Sequence, residues 1–318
     1  MLAPLPAEAV RAQLVDVPDD VEVVSVPRDE DPVPYCEGAD VCIADWSSHH
    51  RVAGPVVTAL APTCRLVQVP AAGLDSVDLD ACVAAGLTVS SAAGLNAGAV
   101  AEWCVWAALS GLRGLVASDR AMRAGRWEQI GAQVRYELDG KVVGLVGMGD
   151  IGVAAAPRFA AFGVDLRYWT RTRRPAETEA QLGVTWSELD DLVAAADVLV
   201  LVIALTADTR HLLDASRIAR LKPSAVVVNA ARGAVTDEAA LAEALAGGRV
   251  HAVVTDVYSQ EPAPDDHPLV AHERSVVTPH IAGASLESVG RILERVMHNV
   301  RAVLNGEAPE GVVGAISR

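Results

Sequence analysis

The stretch VVGLVGMGDIG (residues 142–152) carries an apolar run into three glycines, Gly147, Gly149 and Gly152, and passes directly into VAAAPRFAAFG. An apolar strand, a G-x-G-x-x-G turn and an Ala-rich helix, in that order, predict a dinucleotide-binding βα unit. Each glycine has its own reason. Gly147 permits the tight turn, Gly149 lets a pyrophosphate approach the backbone, and Gly152 lets helix and strand pack closely. The first helical turn, which includes Asp150 and Ile151, presents unpaired N–H groups to the phosphates. The Asp150 carboxylate is a minor electrostatic cost beside them. Pro157, inside the helical stretch, predicts a kink or a distorted first turn.

Outward from this turn, the next strand ends in YWTRTRRP. A carboxylate at that end would accept hydrogen bonds from a free ribose 2′-hydroxyl. Thr170 stands there instead, followed by Arg171, Thr172, Arg173 and Arg174. A small hydroxyl with guanidinium groups binds a 2′-phosphate through charge-assisted hydrogen bonds, whereas a carboxylate would repel it. Thr170, Arg171 and Thr172 therefore join the cofactor site, and NADP(H) is favoured over NAD(H). The alternative is that the arginines form a solvated loop and the protein takes NAD.

Further outward, short β-rich runs alternate with Ala-rich helical stretches, which is βαβ grammar. VEVVSV (21–26), VCIAD (41–45), LVQVP (66–70) and LTVSS (87–91) precede a long helix predicted from Ala99 to Ala124. The pattern restarts with KVVGLVG (141–147), DLRYWT (165–170), DVLVLVIAL (197–205), AVVVNAA (225–231), HAVVTDV (251–257) and SVVTP (275–279). Runs apolar on both faces predict parallel strands with helices on each side. The fold class is α/β, with two doubly wound parallel-sheet domains. Residues 1–97 and 286–318 form one and residues 98–285 the other, crossing at the helices after Asn96 and Ser285. The final helix is predicted from Ser285 to about Asn305, followed by a Gly-rich tail.

In a doubly wound sheet, ligands bind beyond the carboxyl ends of the strands. VVVNAARG brings Arg232 there, VVTDVYSQEP brings Asp256 and Glu261, and SVVTPH brings His280. Reduction of a 2-keto acid needs a cation for the substrate carboxylate and a proton donor for the oxygen that becomes a hydroxyl. Arg232 suits the first task and His280 the second. Glu261 beside His280 would favour the imidazolium, raise its pKa and hold the ring. Each residue also has a plain reading: Arg232 a surface cation, Glu261 a solvated carboxylate, His280 a core imidazole. It is their joint placement at strand ends that argues for a site.

On these motifs the chain resembles the D-isomer-specific 2-hydroxyacid dehydrogenases from about Leu66 to Gly306. The resemblance rests on AAGLDSVDL, GLNAGAVAE, GLVGMGDIG, LTADTRHLLD, NAARGAVTDEAAL, TDVYSQEP, HPL and TPHIAGAS. It implies a Rossmann cofactor domain inserted in a flavodoxin-like substrate domain, with hydride transfer between NAD(P) and a small 2-hydroxy acid. It also implies that Arg232 binds substrate, Glu261 supports His280, and His280 is the acid/base. Asp256 would contact the nicotinamide carboxamide, and the N–H groups of Ala72 and Gly73 would cradle the substrate carboxylate. A homodimer through the cofactor domain is implied as well. The YWTRTRR ending resembles the NADP-preferring glyoxylate and hydroxypyruvate reductases of the family. Phosphite dehydrogenases carry Lys where this chain has Ala72, and formate dehydrogenases Gln where it has Glu261. The fold also serves dinucleotide-sensing corepressors, which stand as the alternative function.

Composition narrows the partners. A net charge of −15 argues against nucleic acid or anionic membrane as general partners. No apolar run reaches the ~20 residues of a membrane span, and the first 16 residues lack the pattern of a signal peptide. The five cysteines, at 36, 42, 64, 82 and 104, show no C-x-x-C pair. They predict buried, reduced thiols, no metal site and a cytoplasmic protein. His49 and His50 are expected in a polar loop rather than on a metal, His267 as a loop anchor, and Trp46 as a packing or pocket residue.

Overall fold

The structure is a computed structural model that describes residues 17–18, 21–45, 49–127 and 134–314. Among these residues the strands run, in chain order, β1 (Val41–Ile43), β2 (Leu66–Val69), β3 (Val89–Ser91), β4 (Val142–Val146), β5 (Asp165–Trp169), β6 (Thr185–Trp186), β7 (Val198–Leu201), β8 (Val226–Asn229), β9 (Ala252–Thr255), β10 (Ser275–Val277) and β11 (Val312–Gly314). The chain divides into two compact units. One joins the described residues up to Asn96 with those from Ser285 on, and the other is Ala97–Ala284.

The second unit holds a seven-stranded sheet in the order β10-β9-β8-β7-β4-β5-β6, every pair parallel. Alternate residues of each strand serve opposite faces. Val198 and Val200 enter one core, with Ala155, Ala156 and Phe159 of the helix Asp150–Ala160. Leu199 and Leu201 enter the other, with Leu192 and Leu245 from helices on the far side. Burying such side chains contributes about 1.5–3 kcal/mol each, which is why these strands are apolar throughout. The chain order reverses at β4, between β5 and β7, so the turn after β4 opens at the sheet's switch point.

Several sequence expectations change here. The strand predicted over residues 197–205 stops at Leu201, because its partner β4 stops at Val146. The Val202 N–H makes the last rung to the Val146 carbonyl at 2.9 Å, and beyond it Gly147 turns away. The single helix predicted from Ala99 to Ala124 is two helices, Ala97–Arg113 and Leu115–Arg123. They bend by 64° at Gly114, which has φ +59°. Among the described residues no single helix is long and apolar enough to cross a membrane. The bent pair passes that test only when joined, and Cys104, Ala107 and Leu112 of its first half are buried in the core. Two-residue β6, at the sheet edge, escaped the sequence reading.

In the first unit, β1, β2 and β3 are parallel, and β11 adds antiparallel to β3. The Gly-rich tail therefore supplies an edge strand. VEVVSV forms no strand, although Val26 at its end is buried. The final helix is Leu286–Leu304, capped reciprocally by Ser285 and Ser288 and ending at Asn305. Its Asn299 is fully buried. The Asn299 amide donates to Gln68 Oε1 at 2.7 Å and to the Glu310 carbonyl at 2.9 Å, and its oxygen accepts the Glu310 N–H at 2.8 Å. A buried network satisfied this fully fixes one arrangement of helix, sheet and final strand. His49 and His50 anchor a loop, bonding the carbonyls of Arg28 and Pro27 through Nε2, and Trp46 lies outside the described residues. All five cysteines are buried and unpaired.

Candidate active site

The Gly-rich turn follows β4. Gly147 has φ +111°, and a Cβ there would stand 2.5 Å from the Val202 carbonyl oxygen; one on Gly152 would stand 2.4 Å from the Gly147 oxygen. At both positions the fold itself requires glycine. Gly149, which begins the helix, differs: nothing lies within 4 Å of where its Cβ would be. The protein leaves a cradle there that a side chain would fill, next to the exposed N–H end of the helix Asp150–Ala160. That arrangement fits the pyrophosphate of a dinucleotide. The helix runs through Pro157 from Asp150 to Ala160.

After β5, the three arginines separate. Arg173 forms two hydrogen bonds to Glu179, at 2.8 and 2.7 Å, and lies over the Trp186 ring. With the Tyr168 hydroxyl on the same carboxylate, the Arg173 contact lowers the Glu179 pKa to about 2. Arg174 donates to the Met148 carbonyl in the Gly-rich turn, Nε at 2.9 Å. These two guanidiniums, grouped with Arg171 in the sequence reading, thus serve the fold. Arg171 is exposed, with Asp208 at 3.5 Å, and lines a cleft of about 610 Å³ with Trp169, Asp190, Asp208, Thr209 and Leu212. Thr170 donates to the Thr172 carbonyl at 2.7 Å, tightening the turn that carries Arg171.

Beyond β8, β9 and β10 the chain places Arg232, the Asp256–Glu261 loop and His280. Asn229, the last residue of β8, shapes the Arg232 turn: its Oδ1 accepts the Ala231 N–H at 3.0 Å and its Nδ2 donates to the Arg232 carbonyl at 3.1 Å. A Cβ on the next residue, Gly233, would fall 2.0 Å from the carbonyl carbon of Tyr258. The Arg232 turn and the Glu261 loop therefore touch backbone to backbone.

His280 Nδ1 lies 2.7 Å from Glu261 Oε2, and the other oxygen, Oε1, accepts the Tyr258 N–H at 3.0 Å. His280 sits at φ +55°, a left-handed conformation that costs a side-chain-bearing residue about 1–2 kcal/mol. Asp256 holds it there. The Asp256 carbonyl accepts the His280 N–H at 2.8 Å. Its carboxylate, 1% exposed, accepts from the Thr278 hydroxyl and from the N–H groups of Ile281 and Ala282, at 2.5, 2.8 and 2.7 Å. The sequence reading gave Asp256 to the nicotinamide and missed this anchoring. A carboxylate at a strand end, two residues before an aromatic, gives no local sign of donors that lie more than twenty residues on.

Electrostatics follow from these contacts. The Glu261 hydrogen bond raises the His280 pKa above its ordinary value of 6.5, against burial and the Arg232 charge. Burial alone would raise Glu261, but the bonds from His280 and the Tyr258 N–H, with the His280 and Arg232 charges, leave it below its ordinary 4.5. The pair is thus biased toward imidazolium and carboxylate, with Nδ1 committed to Glu261 and Nε2 the nitrogen left for a proton in transit. Ala72 and Gly73 belong to the first unit, in the loop after β2.

Comparison with known proteins adds to this geometry. Residues 105–282, more than half of the chain, match the family description "D-isomer specific 2-hydroxyacid dehydrogenase, NAD binding domain". A glyoxylate reductase of Thermofilum pendens is 35% identical over 256 residues, covering 80% of this chain and 76% of that one. A D-3-phosphoglycerate dehydrogenase of Mycobacterium bovis is 39% identical over 257 residues, but this chain spans only 48% of its length. Among solved structures, a glyoxylate reductase from Paecilomyes thermophila superposes with a TM-score of 0.85 at 28% identity, covering 98% of this chain and 97% of that chain. A switch-point turn that fits a dinucleotide, a paired imidazole and carboxylate at the carboxyl end of the same sheet, and these matches lead to one assignment: the chain belongs to the D-isomer-specific 2-hydroxyacid dehydrogenase family.

Proposed function

We propose that the protein reduces a small 2-keto acid, glyoxylate or hydroxypyruvate, to the corresponding 2-hydroxy acid with NADPH. The single observation that carries the mechanism is the 2.7 Å bond between His280 Nδ1 and Glu261 Oε2, at the carboxyl end of the sheet whose switch point carries the Gly-rich turn. Bound at that turn, the nicotinamide dinucleotide supplies the hydride. Arg232 holds the substrate's carboxylate and polarises its keto group, a task suited to a fixed guanidinium fork. His280 delivers a proton from Nε2 to the keto oxygen, and Glu261 keeps the ring cationic and oriented until that transfer. Asp256 serves the site by fixing the backbone turn on which His280 stands.

Gly147, Gly149, Asp150, Ile151 and Gly152 hold the pyrophosphate, and Thr170, Arg171 and Thr172 hold the adenosine end. Exposed Arg171, at the cleft edge, supports NADP(H) over NAD(H). Apolar side chains exposed on the second unit, Trp106, Leu115, Met122, Trp127 and Val134, support a homodimer through this unit. Five unpaired buried cysteines support a reducing, cytoplasmic setting.

The test is a panel of glyoxylate, hydroxypyruvate, pyruvate and 3-phosphohydroxypyruvate, each with NADPH and with NADH, run alongside the His280→Ala variant. Fastest turnover with NADPH and one of the two small acids, abolished in the variant, is expected. A preference for the phosphorylated acid would instead align the chain with its phosphoglycerate dehydrogenase relatives. Tight NADPH binding with no turnover on any acid would favour a dinucleotide sensor.

A further inference from the structure

Behind the Glu261 loop lies a second carboxylate and imidazole, which the reaction above does not use. Glu238 opens the helix Glu238–Ala246, and its side chain is 14% exposed. Its two oxygens lie 3.1 and 3.3 Å from the Ser259 nitrogen and accept that N–H. His267, whose side chain is 9% exposed, places Nε2 at 3.5 Å from Glu238 Oε2. The other ring nitrogen, Nδ1, accepts the Leu269 N–H at 3.3 Å, so the neutral ring carries its proton on Nε2, toward Glu238.

The same imidazole stands edge-on to the Tyr258 ring, centroids 5.4 Å apart at 80°. The Tyr258 hydroxyl donates to the Thr278 carbonyl at 3.1 Å. Burial, then the Asp256, Glu261 and Glu238 charges, pushes this phenol up to about 12 and keeps it a donor. Tyr258 and Ser259 are therefore held by the Glu238 carboxylate, the His267 ring, the Thr278 carbonyl and the backbone packed against Gly233. The Tyr258 N–H and the His280 ring both hydrogen-bond the Glu261 carboxylate. A buried carboxylate and imidazole are costly to desolvate and add little net stability, which points to a geometric role.

We propose that Glu238 and His267 are positioning residues: they set the Tyr258–Ser259 backbone and, through it, the placement of the Glu261 carboxylate on His280. The proposal rests on Glu261 and His280 forming the acid/base pair.

The experiment is titration of the His280 ring by NMR in the full-length free protein, together with steady-state kinetics, for Glu238→Ala, Glu238→Gln and His267→Asn. In Glu238→Ala the His280 midpoint should fall toward that of an ordinary imidazole and kcat should drop about tenfold, part of the gain a well-placed acid provides. NADPH binding, followed by fluorescence, should be unchanged. Glu238→Gln keeps an acceptor for Ser259 and should restore most of both. His267→Asn retains a helix-capping side chain and should lower the midpoint as Glu238→Ala does, which tests the idea even if Glu238→Ala does not fold. An unmoved His280 midpoint in folded Glu238→Ala or His267→Asn, or a Glu238→Gln variant no better than Glu238→Ala, overturns the proposal. The titration needs no substrate, so a shifted midpoint in a protein that turns over none of the acids would overturn the reaction and leave the positioning intact.

Discussion

Asp256 and His280 are joined through the backbone and through the turn that follows: the Asp256 carbonyl takes the His280 N–H at 2.8 Å, and its carboxylate takes the N–H groups of Ile281 and Ala282. One buried acid thus holds a histidine in a conformation it would not adopt alone.

Replacing that acid by its amide should be costly. In Asp256→Asn one oxygen becomes an NH₂ that faces donors, and hydrogen bonds to charged groups contribute about 1.5–3 kcal/mol each. The expected result is a loss of at least that order in urea denaturation, with turnover falling further as the His280 turn relaxes. Wild-type stability and turnover would show that the turn holds itself.

The charge on Glu261 should be visible in the pH profile. Because the folded protein raises the His280 pKa, the imidazolium persists to higher pH than an isolated histidine would allow, and keto-acid reduction should decline only as pH passes the raised value. Glu261→Gln keeps a hydrogen bond but removes the charge, so this decline should move to lower pH in kcat/KM. The linkage to stability has two signs. The His280 contribution is full below about 6.5 and is lost as pH rises through the raised folded value. The Glu261 contribution is present above its unfolded value and is lost as pH falls through the lowered folded one. The pair should therefore stabilise the fold most between these limits, and the Glu261→Gln variant should show a flatter dependence of Tm on pH.

At Gly233 the prediction is steric. A Cβ 2.0 Å from the Tyr258 carbonyl carbon and 2.1 Å from the Ser259 nitrogen meets backbone on both sides, so one loop must shift. Gly233→Ala should destabilise by about 1–3 kcal/mol, as overpacking does, and should lower kcat by displacing Arg232 or Glu261. Chemical denaturation and initial rates check the two parts separately.

Cofactor choice can be tested at the exposed guanidinium of Arg171. If Arg171 carries the contact to a 2′-phosphate, Arg171→Ala should weaken NADPH binding about tenfold or more, the value of one charge-assisted bond, and leave NADH binding nearly unchanged. Equal weakening of both would assign Arg171 to the adenine side of the cleft in general.

Much of this was legible in the sequence because it was local. The Gly-rich turn carries its spacing in six residues, and strands buried on both faces must be apolar at every position, as Val226–Asn229 nearly is. Arg232, Glu261 and His280 could be singled out because each follows such a run. What escaped was set by pairing across the chain. The end of β7 depends on where β4 ends, and β6 and β11 are short edge strands without a pattern of their own. The partners of Arg173 and Arg174 are a buried carboxylate and a backbone carbonyl, neither marked in the string RTRR. Asp256 was noticed for its position, and its anchoring contacts to Thr278, Ile281 and Ala282 escaped for the same reason.

The Asn299 network has a consequence for the order in which the protein is made. Its members, Gln68, Asn299 and Glu310, are far apart in the chain, while the other unit is complete once Ala284 has been added. As the nascent chain lengthens on the ribosome, every strand of the second unit has been synthesised before Asn299 and Glu310, the network partners that Gln68 needs, are present.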